Sequence, residues 1–168
     1  MNKICIAFFI LICLVGIASC EKDDICVDGD TPLLVIGFFD VDDTTEAKNV
    51  TALRIRAIGQ EDDVDTFTNP SSQDSVGIPL RISETSTAYL IVSDSGTDDE
   101  GNETGNIDTL TFSYDVIEDF VSRACGFVAN YDNLSFDLQP DTDNWIQNVV
   151  IVDTTIENST AIHVKIFH

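Results

Sequence analysis

Positive charge is what this chain most lacks: eight Lys and Arg stand against 30 Asp and Glu in 168 residues, a net charge of −22. A field of that sign repels DNA, RNA and anionic lipid heads, which excludes nucleic acid as a partner. Histidine is nearly as scarce, with His163 and His168 alone. A zinc centre takes three or four clustered imidazole or thiolate ligands, and this chain does not offer them. His163 falls on the polar phase of the last strand-like segment, so an exposed side chain is expected there rather than a general base. The single tryptophan, Trp145, cannot by itself form a platform of exposed aromatics for a glycan, and its apolar neighbours suit a core position. No G-x-S-x-G elbow and no phosphate-binding glycine loop occurs, and no cofactor is expected. Carboxylates are so abundant that the paired acids of a glycosidase can be neither excluded nor singled out.

Long apolar runs are also few. The longest, Ile4 to Ile17, falls short of the roughly 20 residues that span a bilayer as a helix. It follows Lys3 and ends at Ala18-Ser19-Cys20, the three-part layout of an export signal. Ile17-Ala18-Ser19-Cys20 resembles a lipobox, which implies a diacylglycerol on the Cys20 sulfur and cleavage of the Ser19–Cys20 bond. An ordinary signal peptide with an incidental cysteine and an uncleaved anchor helix are the alternatives. Loss of Lys3 with the leader takes the net charge from −22 to −23. Glu21-Lys22-Asp23-Asp24 resembles the signal that sends Bacteroidota lipoproteins to the outer face of the outer membrane. Lys22, Asp23 and Asp24 are its candidate residues; a plain charged tether on a periplasm-facing anchor is the alternative.

Cysteine is sparse once the leader is set aside. Cys5 and Cys13 leave with it and Cys20 carries lipid, so Cys26 and Cys125 remain. Outside the cytoplasm two such cysteines usually pair. Free buried thiols and a metal site are the competing readings.

Helical periodicity is missing too. The remaining chain is a series of short β-branched or alternating segments: Leu33–Phe39, Thr51–Ile58, Ser75–Ile82, Ala88–Val92, Thr109–Tyr114, Phe120–Asn130, Leu134–Leu138, Trp145–Val152 and Ala161–Phe167. Leu33–Phe39 is apolar throughout and suits a strand buried on both faces. In the second segment Leu53, Ile55 and Ala57 share one face and Arg54 and Arg56 the other. Pro79 in the third points to a sheet edge. About nine strands separated by turn residues predict an all-β, antiparallel two-sheet β-sandwich, with a small closed β-barrel as the alternative. The same apolar content argues against the disorder that acidity alone would suggest. The domain layout is a leader at 1–19, a lipid-anchored acidic tether at 20–30 and one β domain at 31–168.

The longest connection, Ser93–Asn106, lies between two segments that suit a hairpin. Asp94, Asp98, Asp99, Glu100, Asn102 and Glu103 supply the oxygen ligands calcium needs, but not in the order of an EF-hand loop. A solvated acidic loop is the stronger expectation. Asp43-Thr44-Thr45, Asp74-Ser75-Val76, Asp108-Thr109-Leu110 and Asp153-Thr154-Thr155 resemble a Bacteroidota O-glycosylation sequon.

Cys20-Glu21-Lys22-Asp23-Asp24-Ile25-Cys26, Ser122-Arg123-Ala124-Cys125-Gly126, Asp141-Thr142-Asp143-Asn144-Trp145-Ile146 and His163-Val164-Lys165-Ile166-Phe167-His168 together resemble a family of small flavobacterial lipoproteins of unknown function. That resemblance implies the Cys26–Cys125 pairing and an envelope location, and it brings no catalytic residues. The expected role is a non-enzymatic, lipid-anchored outer-membrane protein facing the cell exterior, whose partners are the membrane and an envelope protein or glycan. A carboxylate-dependent hydrolase acting on extracellular glycans is the alternative.

Overall fold

The computed structural model describes Cys26 and residues 30–168. The leader, the lipidation candidate Cys20 and the export-signal candidates Lys22, Asp23 and Asp24 lie outside the described residues. The strands are β1 (Leu34–Phe39), β2 (Val50–Ala57), β3 (Ser71–Gln73), β4 (Ser75–Ile78), β5 (Ser86–Ser93), β6 (Asn106–Ser122), β7 (Gly126–Leu138), β8 (Asn148–Ile151) and β9 (Val164–Phe167). They form a four-stranded sheet in the order β4-β1-β9-β8 and a five-stranded sheet in the order β3-β2-β5-β6-β7. Neither sheet closes on itself, so the architecture is the sandwich and not the barrel.

Alternation places the core. Leu34, Ile36 and Phe38 of β1, Ile78 of β4 and Val164 and Ile166 of β9 are buried from one sheet. Leu53 and Ile55 of β2, Ile91 of β5 and Leu110 and Phe112 of β6 are buried from the other. Each such side chain withdrawn from water contributes about 1.5–3 kcal/mol. β1 lies between β4 and β9, and its outer face is covered as well, with Phe39 against Phe167 and under Lys165 and Ile162 over Gly37, which accounts for its unbroken apolar run. The C-terminal β9 runs parallel to it, with Ile36 opposite Val164 and Phe39 opposite Phe167. This pair departs from the purely antiparallel expectation. β4 is an edge strand, as Pro79 suggested, but it stops at Ile78, before the proline.

Phe120–Asn130 is not one strand. β6 runs to Ser122, the chain turns through Arg123–Cys125, and β7 starts at Gly126. Gly126, the first residue of β7 just past the turn, takes φ +75°, a left-handed conformation that glycine adopts without the steric cost of a side chain. β7 then absorbs the expected Leu134–Leu138 strand across a register shift near Asn133, whose φ is also positive.

Where the chain crosses from β4 in one sheet to β5 in the other, the backbone of Pro79-Leu80-Arg81 has no strand partner. Three tyrosines of the five-stranded sheet supply one. The hydroxyl of Tyr89 (β5) donates to Pro79 O, that of Tyr131 (β7) to Leu80 O at 3.1 Å, and that of Tyr114 (β6) to Arg81 O at 2.9 Å. Thr87 Oγ1 joins the set, 2.6 Å from the Tyr114 hydroxyl and accepting from Arg81 N at 3.1 Å. The Tyr114 and Tyr131 rings meet edge to face with centroids 5.1 Å apart. Burial raises the pKa of all three phenols, that of Tyr131 to about 12, so they remain hydrogen-bond donors at any ordinary pH. Tyr131→Phe keeps the ring and strands the Leu80 carbonyl. It is expected to lower unfolding free energy by about 1–2 kcal/mol, read from a shifted urea midpoint with unchanged slope.

Candidate functional site

β6 and β7 outrun the rest of their sheet. β5 pairs with β6 only as far as Ser86 opposite Ser113, and beyond that point β6 is paired with β7 alone, from Asp115 opposite Asp132 to Ser122 opposite Gly126. The result is a hairpin that projects past the sandwich. At its turn the structure joins Cys125 to Cys26, with Cα atoms 4.9 Å apart and 99 positions between them in sequence. Cys125 N also donates to Ser122 Oγ at 3.0 Å, which holds the turn shut. The chain segment nearest the N-terminus is therefore fastened to the outermost point of the domain.

The long acidic connection is a β5–β6 hairpin loop closed by Ser93 opposite Asn106. Its candidate cation ligands divide into two groups. Asp98 accepts from Glu100 N at 2.9 Å, Asn102 N at 2.8 Å and Asn102 Nδ2 at 3.0 Å, which makes it the hub of a tight exposed turn. Those bonds, the Asn102 side chain first, lower its pKa. Glu103 points the other way, accepting from Gly96 N and Gly105 N, both at 2.9 Å, and from Ser95 Oγ and Arg54 Nη1, also at 2.9 Å. Burial alone would raise the Glu103 carboxyl; these four donors outweigh it and bring the group down to about 2. Asp94, Asp99 and Glu100 stay on the solvent side. Among the described residues no three His, Cys, Asp or Glu side chains are placed together to hold a metal ion.

Arg54 connects that loop to the outer face of β2. Asp63, from the β2–β3 connection, bridges Arg54 Nε at 2.8 Å and Arg56 Nε at 2.9 Å, while Arg54 also pairs with Glu103. The four charges balance. They rim a shallow cavity of about 130 Å³ floored by Leu90, Val92 and Ile107. Sequence alternation put both arginines on this face, but nothing in it identified Asp63 and Glu103 as their partners. A second, wider cleft of about 400 Å³ lies between Ser86, Ser113, Asp115, Asn133 and Ser135. It is polar, and Asp115 Oδ2 already accepts from Asn133 Nδ2 at 2.8 Å.

The other chemically capable groups are also committed to structure. His163 is 2% exposed, which corrects the expectation of an exposed side chain. It precedes β9, so strand alternation does not apply to it, and its Nδ1 accepts from Val35 N at 3.0 Å. Burial lowers its pKa, consistent with a neutral ring acting as acceptor. Asp108 is 1% exposed and caps the start of the Trp145 segment, accepting from Ile146 N at 2.8 Å and Asn144 Nδ2 at 2.9 Å. Trp145 turns toward the core, its Nε1 donating to Ile91 O at 3.1 Å and its ring beside Phe38 and His168. Asp141 and Asp143 diverge in pKa: Asp141 is lowered chiefly by the Thr142 backbone N–H, and Asp143 is raised by sharing a hydrogen bond with Asp141. Both lie on an exposed turn rather than in a cleft. Of the sequon hydroxyls, Thr44, Ser75 and Thr154 are exposed, whereas Thr109 lies within β6 opposite Leu90.

Two predictions follow from this geometry. Glu103 has a folded pKa below its ordinary 4.5, so its stabilisation is complete above about pH 4.5 and is lost as pH falls toward 2. Glu103→Gln is expected to cost about 1–3 kcal/mol at pH 7, and the difference from wild type in thermal midpoint should close as the scan is repeated toward pH 2. Cys125→Ser is expected to cost about 2–5 kcal/mol, and reducing agent should lower the wild-type denaturant midpoint to the level of the variant without moving that of the variant.

No curated protein and no solved structure matches the chain. A family model does, over residues 52–168, a span that holds β3 to β9 and all of β2 except Val50 and Thr51. It includes Cys125, the three tyrosines and the Arg54–Glu103 pair, and it starts after β1 and Cys26. On that match the chain belongs to the family of unknown function DUF6452.

Proposed function

We propose that the protein is a lipid-anchored component of the cell envelope, acylated at Cys20 and held at the outer face of the outer membrane through Lys22-Asp23-Asp24. In this reading its β-sandwich serves as a non-enzymatic binding or assembly module. The observation that carries it is the Cys26–Cys125 bond, since disulfides persist in exported proteins and this one closes directly after the lipobox-like Ile17-Ala18-Ser19-Cys20. The site chemistry supports the non-enzymatic half. Glu103, Asp63, Asp108 and His163 all spend their hydrogen-bonding capacity inside the fold. Inward-turned Trp145 favours an envelope protein over a glycan as the partner.

Mass spectrometry of the protein extracted from cell membranes tests this. The expected N-terminal peptide begins at Cys20 and carries acyl chains, and Cys20→Ala leaves the protein unanchored in the extracytoplasmic fraction. An unmodified Cys20, or cleavage elsewhere, would contradict the reading. Protease treatment of intact cells reports the face: digestion is expected for wild type, and protection when Lys22, Asp23 and Asp24 are all replaced by alanine.

A further inference from the structure

The projecting β6–β7 hairpin ends in apolar side chains that are largely exposed. Phe120 is 60% and Phe127 66% exposed, and they face each other across the ladder with ring centroids 5.3 Å apart. Ile117 and Val121, three residues before Phe120 and one after it, are exposed on the opposite face. Phe120 and Phe127 continue the inward phase of Tyr114 and Tyr131. The core-facing side of the hairpin thus runs beyond the core. From Phe120 to Val128 there is no acidic residue, and Arg123 sits at the turn. In a chain of net charge −22 this end combines apolar bulk on both faces with a local positive charge.

What such a tip meets is indicated by the chain attached to it. Cys125 is bonded to Cys26, and Cys20 is at most about 22 Å from Cys26 even fully extended. Lipid on Cys20 therefore holds the tip within about 22 Å of the bilayer. An uncleaved apolar segment Ile4–Ile17 would hold it similarly close. Other surfaces of the sandwich are not fastened in this way.

We propose that the hairpin tip is a second membrane contact, with Phe120, Phe127 and Val121 seated at the boundary between headgroups and acyl chains, the Arg123 side chain reaching back to the lipid phosphates, and Ile117, which Glu118 and Asp119 follow, left outside. This rests on the lipid-anchored reading. The two chains of a diacylglycerol on Cys20 already hold a protein durably, and a further apolar element adds to that attachment. The tip also sets the pose: the hairpin axis points into the bilayer and the acidic body is held away from it. A second copy of the chain covering the same residues is the competing occupant.

The test uses the full lipoprotein purified from membranes and reconstituted in phosphatidylcholine vesicles, with Phe127→Trp as reporter. Trp145 is turned into the core and serves as the internal reference. Vesicles whose acyl chains are brominated near the headgroup should quench the introduced indole to about half or less, consistent with insertion about 5–10 Å deep, and leave Trp145 emission unchanged. Phe120→Glu in the same reporter background should abolish the quenching while the Trp145 signal still reports a folded domain. Protein that is acylated and vesicle-bound, but whose introduced indole responds to aqueous iodide and not to bromolipid, overturns the tip contact and leaves the anchor standing. An introduced indole shielded from both, with a doubled mass in detergent, assigns the tip to a second copy and also overturns it. Protein that carries no lipid and does not sediment with vesicles overturns both readings.

Discussion

Three phenolic hydroxyls hold the crossing of the chain from one sheet to the other, beside the root of the projecting hairpin. Pro79, Leu80 and Arg81 belong to no strand, yet they carry the chain from β4 in one sheet to β5 in the other. Their carbonyls would be stranded at the edge of an apolar core without Tyr89, Tyr131 and Tyr114, and each unpaired group would cost about 1–3 kcal/mol. Tyr114 and Tyr131 also stand at the root of the hairpin, just where β5 stops supporting β6. The same residues therefore set the spacing of the sheets and the direction in which the hairpin leaves them. Tyr131 has further support from Ile156, which exchanges backbone bonds with it on the free edge of β7.

Much of this was legible in the sequence, because a strand with one buried face writes a period of two into the chain. Val50–Ala57 could be read residue by residue, with Leu53 and Ile55 inward and the arginines outward. The continuous run of β1 signalled burial on both faces, and Pro79 signalled an edge. The expected count of about nine strands is the count found among the described residues, but the strands themselves are not all the expected ones. Polar Ser71–Gln73 gave no hydrophobic signal and was missed as β3. The flanks of Arg123–Cys125 are so rich in strand-forming residues that the turn was read as strand, although Gly126 was the available clue. His163 was misplaced because a two-residue alternation was extended one position beyond the strand that generates it.

The candidate sites were less legible for a different reason. Pattern reading finds what lies on one element, whereas Arg54, Asp63 and Glu103 meet from three separate segments. The composition of the 93–106 loop offered the oxygen ligands of calcium, but Glu103 is drawn inward by an arginine and three other donors that no spacing rule connects to it. The cysteines were the exception. With the leader set aside and Cys20 reserved for lipid, two are left, and the pairing can be argued by counting. What counting could not supply was the place of the bond at the tip of a hairpin, which turns a stabilising staple into an orienting one.

Taken together, the acidic sandwich, the tyrosine-braced hairpin and the bond to Cys26 support the proposal of a domain held tip-first and close against a bilayer. Neutron reflectometry of the intact lipoprotein on a supported phosphatidylcholine bilayer measures that arrangement directly. The account predicts protein density that begins within the headgroup layer, narrow at first as only the hairpin contributes and widening to the full sandwich farther out. A hydrated gap between headgroups and protein, or full sandwich density starting at the headgroups, would contradict it.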